Sequence, residues 1–412
     1  MSKEATRFKQ TGIGELPEGW EVKKLSEIAI IKQGGKLGLT KKDYVSEGYP
    51  AFSATGQDGF VSVYEYEGEA IILSSIGAQC GKCFYATGKW TTLANTQIIF
   101  VNPKIANTLF IFYQVNRPNF WIRSGSAQPF IHPSDVKNAK VVIPPLEEQK
   151  KIVGVLRLVD RVAEETKRII NIYERAKKFA LKYLLTKGIG HTRFKQTEIG
   201  ELPEEWEVVR LGEVCKTASG GTPNRKEHKF FGGGIPWVKS SELKDTVILE
   251  TEETLSEEGL KHSSAKIFPK GTVVVAMYGA TVGRTGILGI DAATNQACCA
   301  FFPNPNLLDK MFLFFWLQYV RPVLARQSVG AAQPNISQQI LRQLPIPLPP
   351  LEEQKQIAEM LSPIDAAIEN ERRYLGILEK CKKWMLDNLL TGKVRLPPEV
   401  DEILKGVLPD AF

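Results

Sequence analysis

The sequence predicts an α+β protein: two similar mixed α/β heads separated by two long antiparallel helices that pack as a coiled coil, the whole a tandem repeat with pseudo-two-fold symmetry. Two pairs of matching strings carry this prediction, with the helical periodicity that follows the second pair. Residues 6–28 (TRFKQTGIGELPEGWEVKKLSEI) return as residues 192–214 (TRFKQTEIGELPEEWEVVRLGEV), with 17 of 23 positions identical at an offset of 186. Residues 144–152 (PPLEEQKKI) return as 349–357 (PPLEEQKQI) at an offset of 205. Two copies are too few for a solenoid, so the chain reads as one unit used twice.

The divisions expected are 1–144, a first head with its opening block; 145–188, a first helix; 189–349, a second head; 350–396, a second helix; and 397–412, a C-terminal tail. Between the matching strings the heads have diverged, but anchors remain. Gly48-Tyr49-Pro50 matches Gly234-Ile235-Pro236 at offset 186, and residues 77–82 (GAQCGK) match 279–284 (GATVGR) at offset 202. Residues 125–131 (GSAQPFI) match 330–336 (GAAQPNI) at offset 205. The growing offset places net insertions inside the second head. Residues 70–73, 97–101 and 272–276 read as buried strands bounded by Gly or Asn, within a loop-rich strand core.

Each PPLEEQ string opens a helix, with Pro145 at its start and Glu147 and Glu148 in the first turn, where acids favour the helix dipole. A 3-4 spacing picks out Ile152, Leu156, Val159, Ala163, Thr166, Ile170, Tyr173, Lys177, Ala180 and Leu184. Adding 205 gives Ile357, Leu361, Ile364, Ile368, Glu371, Leu375, Leu378, Lys382, Met385 and Leu389, with polar breaks at the same places. One narrow apolar stripe over so long a run reads as a coiled-coil seam rather than as two core helices of ordinary domains. Pro363 is expected to kink the second helix near its start. Chain order puts the heads at opposite ends of a rod spanning roughly 60 Å.

The 43% hydrophobic content is ordinary for a globular chain, and the net charge of +7 is compatible with nucleic acid without requiring it. The N-terminal residues MSKEATRFKQ lack an apolar signal core, and residues 311–320 (MFLFFWLQYV) are too short to span a bilayer and read as a buried helix. The expectation is a cytoplasmic protein with reduced cysteines and no membrane partner. Cys80 and Cys83 form a lone CxxC and the histidines are scattered, so no metal site is expected. Residues 77–83 (GAQCGKC) miss the phosphate-loop spacing, and no GxSxG, HExxH or EF-hand loop occurs. Asn304-Pro305 is not followed by the Pro-aromatic pair of an amino-methyltransferase. No catalytic residue is assigned.

What remains is binding. In the first head Lys32, Gln33, Lys36, Lys41 and Lys42 crowd a glycine-rich segment. The equivalent segment of the second head carries Lys216, Thr217, Ser219, Thr222, Asn224, Arg225, Lys226 and Lys229. Gln79, Lys82, Arg123 and Arg284 add amide and cationic groups at the other anchors. Lys and Arg hold phosphates, and Gln, Asn and Arg read base edges, so these residues are the candidates for a DNA surface; the bland alternative is a pair of solvated loops. Residues 239–258, with seven acids against two bases, are expected to face away from DNA.

The duplicated GELPEGWE and GELPEEWE blocks, the SGGTP and GGIPW strings (residues 219–223 and 233–237), the GSAQPFI and GAAQPNI loops and the PPLEEQ helix starts together resemble the specificity subunit of a type I restriction-modification system. The first head lacks a clear SGGTP counterpart. The resemblance, which covers essentially the whole chain, implies that each head is a target recognition domain for half of a split DNA sequence, and that the helices space the heads and dock methyltransferase subunits. It also implies a non-catalytic chain, with S-adenosylmethionine, ATP and magnesium on methyltransferase and motor-nuclease partners. Two other classes compete: a DNA methyltransferase or nuclease with unrecognised motifs, and a coiled-coil adaptor that does not touch nucleic acid.

Overall fold

The computed structural model describes residues 8–125, 127–327 and 335–407. They form two compact units, one bounded by Met1–Glu165 and Leu375–Phe412, the other by Thr166–Tyr374. Thr6 and Arg7 of the first opening block, Ser126 of the GSAQPFI loop, residues 330–334 of the GAAQPNI loop and residues 408–412 of the tail lie outside the described residues.

The first head is built on two four-stranded sheets. One runs in the order Ala29–Gln33, Thr96–Val101, Ala70–Ser74, Cys83–Ala86, all antiparallel. The other runs Gly56–Val61, Tyr49–Ser53, Lys89–Thr92, Tyr66–Glu67, with the middle pair parallel. The second head repeats both. Its first sheet is Cys215–Ser219, Cys298–Pro303, Val273–Ala276, Thr285–Leu288, and its second is Glu253–Leu255, Phe231–Val238, Ala292–Thr294, Ile267–Phe268. One extra strand, Thr246–Ile248, adds to the first sheet in parallel beside Thr285–Leu288. It lies between the anchors where the offset grows from 186 to 202, so the insertion is spent on a sheet edge.

The opening blocks explain their own repetition. Each forms a hairpin, Phe8–Thr11 with Gly14–Pro17 and Phe194–Thr197 with Gly200–Pro203. A strand follows that pairs with the last strand before the helix: Glu21–Lys24 with Lys140–Ile143, and Glu207–Arg210 with Pro345–Leu348. Trp20 and Trp206 are buried, and each indole N–H donates at 3.0 Å to a glutamate of the PPLEEQ string, Glu148 or Glu353. The next residue of the string is a fully buried glutamine that ties down the head's loops. Gln149 donates to Pro144 O at 2.7 Å and accepts from Asn107 N at 2.8 Å. Gln354 donates to Pro349 O and Leu307 O, both at 2.9 Å, and accepts from Asp309 N at 2.8 Å. Asn107 and Asp309 in turn cap the buried helices Thr108–Val115 and Lys310–Tyr319 through two backbone N–H groups each.

The long helices are Leu146–Lys187 and Leu351–Leu389. Within the first unit, Asp160 pairs with Lys382, and Ile152 and Leu156 share a core with Leu389, so the two segments run antiparallel. Within the second unit, Lys177 pairs with Asp365, Glu174 with Arg372 at 2.6 Å, and Leu181 and Leu184 share a core with Ile357 and Leu361, again antiparallel. Of the expected seam, Ile152, Leu156, Ile170, Leu184, Ile357, Leu361, Ile368 and Leu389 are buried. Val159, Ile364, Leu375, Leu378 and Met385 are half-buried. Tyr173 departs from the pattern at 37% exposure. The polar breaks at Lys177 and Lys382 each form an interhelical ion pair, with Asp365 and Asp160 respectively. Pro363 does not end the second helix, which continues through it.

The tail is more than a tail. Residues Val400–Val407 form a helix whose Leu404 is buried against Gly154, where a Cβ would come within 2.7 Å of the leucine, and whose Asp401 meets Lys151 at 2.6 Å. Among the described residues no helix is long and apolar enough to cross a membrane.

Candidate nucleic-acid interface

The edge strands Ala29–Gln33 and Cys215–Ser219 carry the first group of candidates, and both lead into a paired glycine turn. Gly34 N donates to Thr96 O at 3.0 Å, and Gly220 N to Cys298 O at 3.4 Å. A Cβ on Gly34 would lie 2.1 Å from Thr96 Oγ1, and one on Gly220 2.1 Å from Thr294 O, so only glycine fits. Gln33-Gly34-Gly35 is therefore the counterpart of Ser219-Gly220-Gly221, and the first head does not lack it. The sequence hid it because the flanking residues differ.

Around the turn several predicted cations are already engaged. Lys32 lies over the rings of Tyr66 and Phe100, at 5.6 and 5.1 Å. Lys41 meets Asp58 at 2.5 Å, and Tyr44, Ser53 and Thr55 donate to the same carboxylate. Burial works to raise the Asp58 carboxyl, but these donors more than offset it and hold it well below the usual range. Lys36 and Lys42 remain exposed.

In the second head the acidic stretch does not face away from the basic loop; it neutralises part of it. Arg225 pairs with Glu253 and lies over the rings of Phe231 and Trp237, at 4.9 and 4.7 Å. Lys229 pairs with Glu258. Segments this far apart in sequence carry no periodic signal of their pairing. Asn224 is a loop brace, accepting from Lys226 N at 3.2 Å. Thr217 and Ser219 join an unforeseen pair, Gln338 and Arg342. Thr217 Oγ1 donates to Gln338 Oε1 at 3.2 Å and accepts from Arg342 Nε at 2.8 Å, and Gln338 donates to Ser219. Thr222 donates to Gln296, also unforeseen. Lys216 and Lys226 stay exposed.

The second group sits on the turn after Ala70–Ser74 and its equivalent after Val273–Ala276. Gln79 is half-buried there, while Lys82 and Arg284, at equivalent positions, are exposed. Arg123 lies across this turn, with Nε 3.1 Å from where a Cβ of Gly81 would be. The GSAQPFI loop packs beside the same turn: Gly77 N donates to Pro129 O and Ile131 N to Ser75 O, both at 2.9 Å. Ile336 N donates to Met277 O at 2.9 Å in the second head. Strand-turn cations and loop amides thus gather at one place in each head.

The chemistry is that of recognition. Cys80, Cys83, Cys215, Cys298 and Cys299 are buried, and burial pushes the Cys83, Cys215 and Cys299 thiols up to about 12. Asp245 on the inserted segment pairs with Arg321 and accepts from Thr285 N at 3.0 Å and Thr285 Oγ1 at 2.9 Å. Burial works to raise this carboxyl, and Arg321 with Thr285 more than offsets it, keeping it below the usual range. It is a structural tie.

Comparison with known proteins agrees with this reading. The family model for the type I restriction modification DNA specificity domain matches residues 17–174 and again 203–379. The chain is 34% identical to the type I restriction enzyme MjaVIII specificity subunit of Methanocaldococcus jannaschii, covering 94% of this chain and 96% of that one. It is 32% identical to the putative MjaX specificity subunit of the same organism, covering 94% and 97%. The fold matches the crystal structure of a type I restriction-modification S subunit from M. genitalium with a TM-score of 0.65 at 16% identity, covering 90% of this chain and 96% of that one. The chain belongs to the type I restriction-modification DNA specificity family: it is a specificity subunit, the non-catalytic component that recognises DNA sequence.

Proposed function

We propose that each head reads one half of a split DNA sequence, that the long helices fix the distance between the halves, and that they dock methyltransferase subunits. The observation that supports this reading is the retention of one frame in both heads, in the Trp–Glu and Gln ties and the glycine turns, while the surfaces around the turns differ. Two readers of different half-sites need that combination. A structural neighbour with a TM-score of 0.52 comes from work on complex assembly of the type I restriction-modification system, in keeping with partner subunits. S-adenosylmethionine, ATP and magnesium belong to those methyltransferase and motor-nuclease partners, and the assembly works on double-stranded DNA in the cytoplasm. Of the candidate cations, Lys36, Lys42, Lys82, Arg123, Lys216, Lys226 and Arg284 are exposed and form no ion pair among the described residues, which leaves them to meet phosphates.

The test is to express the chain with its partner subunits and map methylated sites by sequencing. One bipartite motif with a fixed spacer is expected. Exchanging residues 29–140 for those of a relative should change one half-site only; a change in both, or in neither, would overturn the modular reading. Inserting one helical turn, roughly four residues, after Ile170 should alter the spacer and leave both half-sites as they were. The isolated chain should not bind S-adenosylmethionine.

A further inference from the structure

Both heads keep one backbone frame and change the side chains set on it. In the second head a cleft is lined by Tyr278, Gln296 and Asn335, with the hydroxyls of Ser240, Ser241 and Thr281 beside them. Tyr278 and Asn335 form an isolated β-bridge there, as Ile76 and Phe130 do in the first head. The strand registers set the equivalences. Ser219 faces Cys299 where Gln33 faces Gln97, so Gln296 stands where Ala94 stands, at offset 202. The three positions filled by Tyr278, Gln296 and Asn335 therefore hold Ile76, Ala94 and Phe130 in the first head. A phenol and two amides have been set against an isoleucine, an alanine and a phenylalanine on the same backbone.

Their chemistry fits base reading. Amides and hydroxyls match the donor and acceptor patterns of base edges, and apolar groups suit the thymine methyl. The Thr222 hydroxyl donates to Gln296 Oε1, which fixes the amide and leaves Nε2 with no acceptor among the described residues. At the same turn, Lys82 and Arg284 occupy equivalent exposed positions and form no ion pair among the described residues, as cations that grip phosphate should.

We infer that these three paired positions set which base pairs each head accepts: Tyr278, Gln296 and Asn335 by hydrogen bonding in one half-site, Ile76, Ala94 and Phe130 by apolar contact in the other. The inference rests on the reading that each head takes one half-site.

Two variants test it in the assembled complex, by methylation mapping. Gln296→Ala with Asn335→Ala truncates two exposed side chains. It should relax one or two positions of one half-site, with discrimination falling about tenfold or more. The other half-site and the spacer should not change. Ile76→Tyr with Ala94→Gln and Phe130→Asn should alter only the opposite half-site. Should the alanine variant leave both half-sites intact, or weaken all sites uniformly, the assignment fails. The exchange of residues 29–140 separates the two failures. If that exchange still changes one half-site, the modular reading stands and only these positions are wrong; if it changes neither or both, the modular reading falls as well.

Discussion

Each unit lays a lysine of one long helix over an aromatic ring of its head and pairs it with an aspartate of the other helix. In the first unit Lys382 lies 5.6 Å from the Tyr113 ring and pairs with Asp160, which also accepts from the Tyr113 hydroxyl at 2.8 Å. In the second unit Lys177 lies 6.0 Å from the Phe315 ring and pairs with Asp365. Phenylalanine has no hydroxyl to offer, and Lys177 donates instead to Gln318 at 2.6 Å. A second contrast has the same logic. Val142 N in the first head donates to the buried Gln114 at 2.8 Å. The second head has Pro347 at that position, which has no N–H to satisfy, and Trp316 stands where Gln114 stands. The duplication preserves backbone geometry and lets residue identities drift, though not every polar group keeps a partner: the buried Trp316 indole N–H has none among the described residues.

The largest effect should come from the frame. Gln149→Ala and Gln354→Ala each strand several buried backbone groups, and each should lower the unfolding free energy of its unit by about 3 kcal/mol. Denaturation followed by tryptophan fluorescence checks it, and clearly unequal costs would break the equivalence of the two units.

Next come two carboxylates of opposite behaviour. Asp58 is held below its usual range, so its stabilisation is present above about pH 4 and is lost as pH falls through the lowered value. Asp58→Asn should cost about 2 kcal/mol at neutral pH, and less as the medium is acidified. Asp365 is raised, chiefly by burial and against the pull of Lys177, so it costs stability as pH rises above about 4. Subtracting the denaturation curves of Asp58→Asn and of Asp365→Asn from that of the parent should give pH slopes of opposite sign. Slopes of the same sign would show that the two carboxylates do not differ in this way.

Smaller effects separate free from engaged cations. In the assembled complex, Lys216→Ala or Arg284→Ala should each reduce the slope of log affinity against log salt by about 1. Arg225→Ala and Lys229→Ala should leave that slope nearly unchanged, because Glu253 and Glu258 already hold them. A full loss from Arg225→Ala would reinstate it as a phosphate contact.

The repeat, the long helices and several core strands were legible because periodicity and identity over long runs encode them. Residues 70–73 and 97–101 fall in strands, and residues 311–320 largely in a buried helix. The seam was legible too, Tyr173 apart. Much of the site was not. Asp58, Glu253, Gln296, Gln338 and Arg342 reach their partners across long stretches of chain, and no spacing rule links them. The C-terminal helix was missed because its stability comes from Leu404 against Gly154, a contact between distant segments.

One consequence of the unit boundaries concerns the order in which the protein is made. The second unit, Thr166–Tyr374, is continuous in the chain, whereas the first joins Met1–Glu165 to Leu375–Phe412. The left-handed Gly392 beside Trp20 and the Arg395 pair to Glu148 at 2.8 Å come from that last piece. On the ribosome, the first of the two heads is therefore completed after the second, and a chain truncated before residue 375 leaves the ribosome with that first head unfinished.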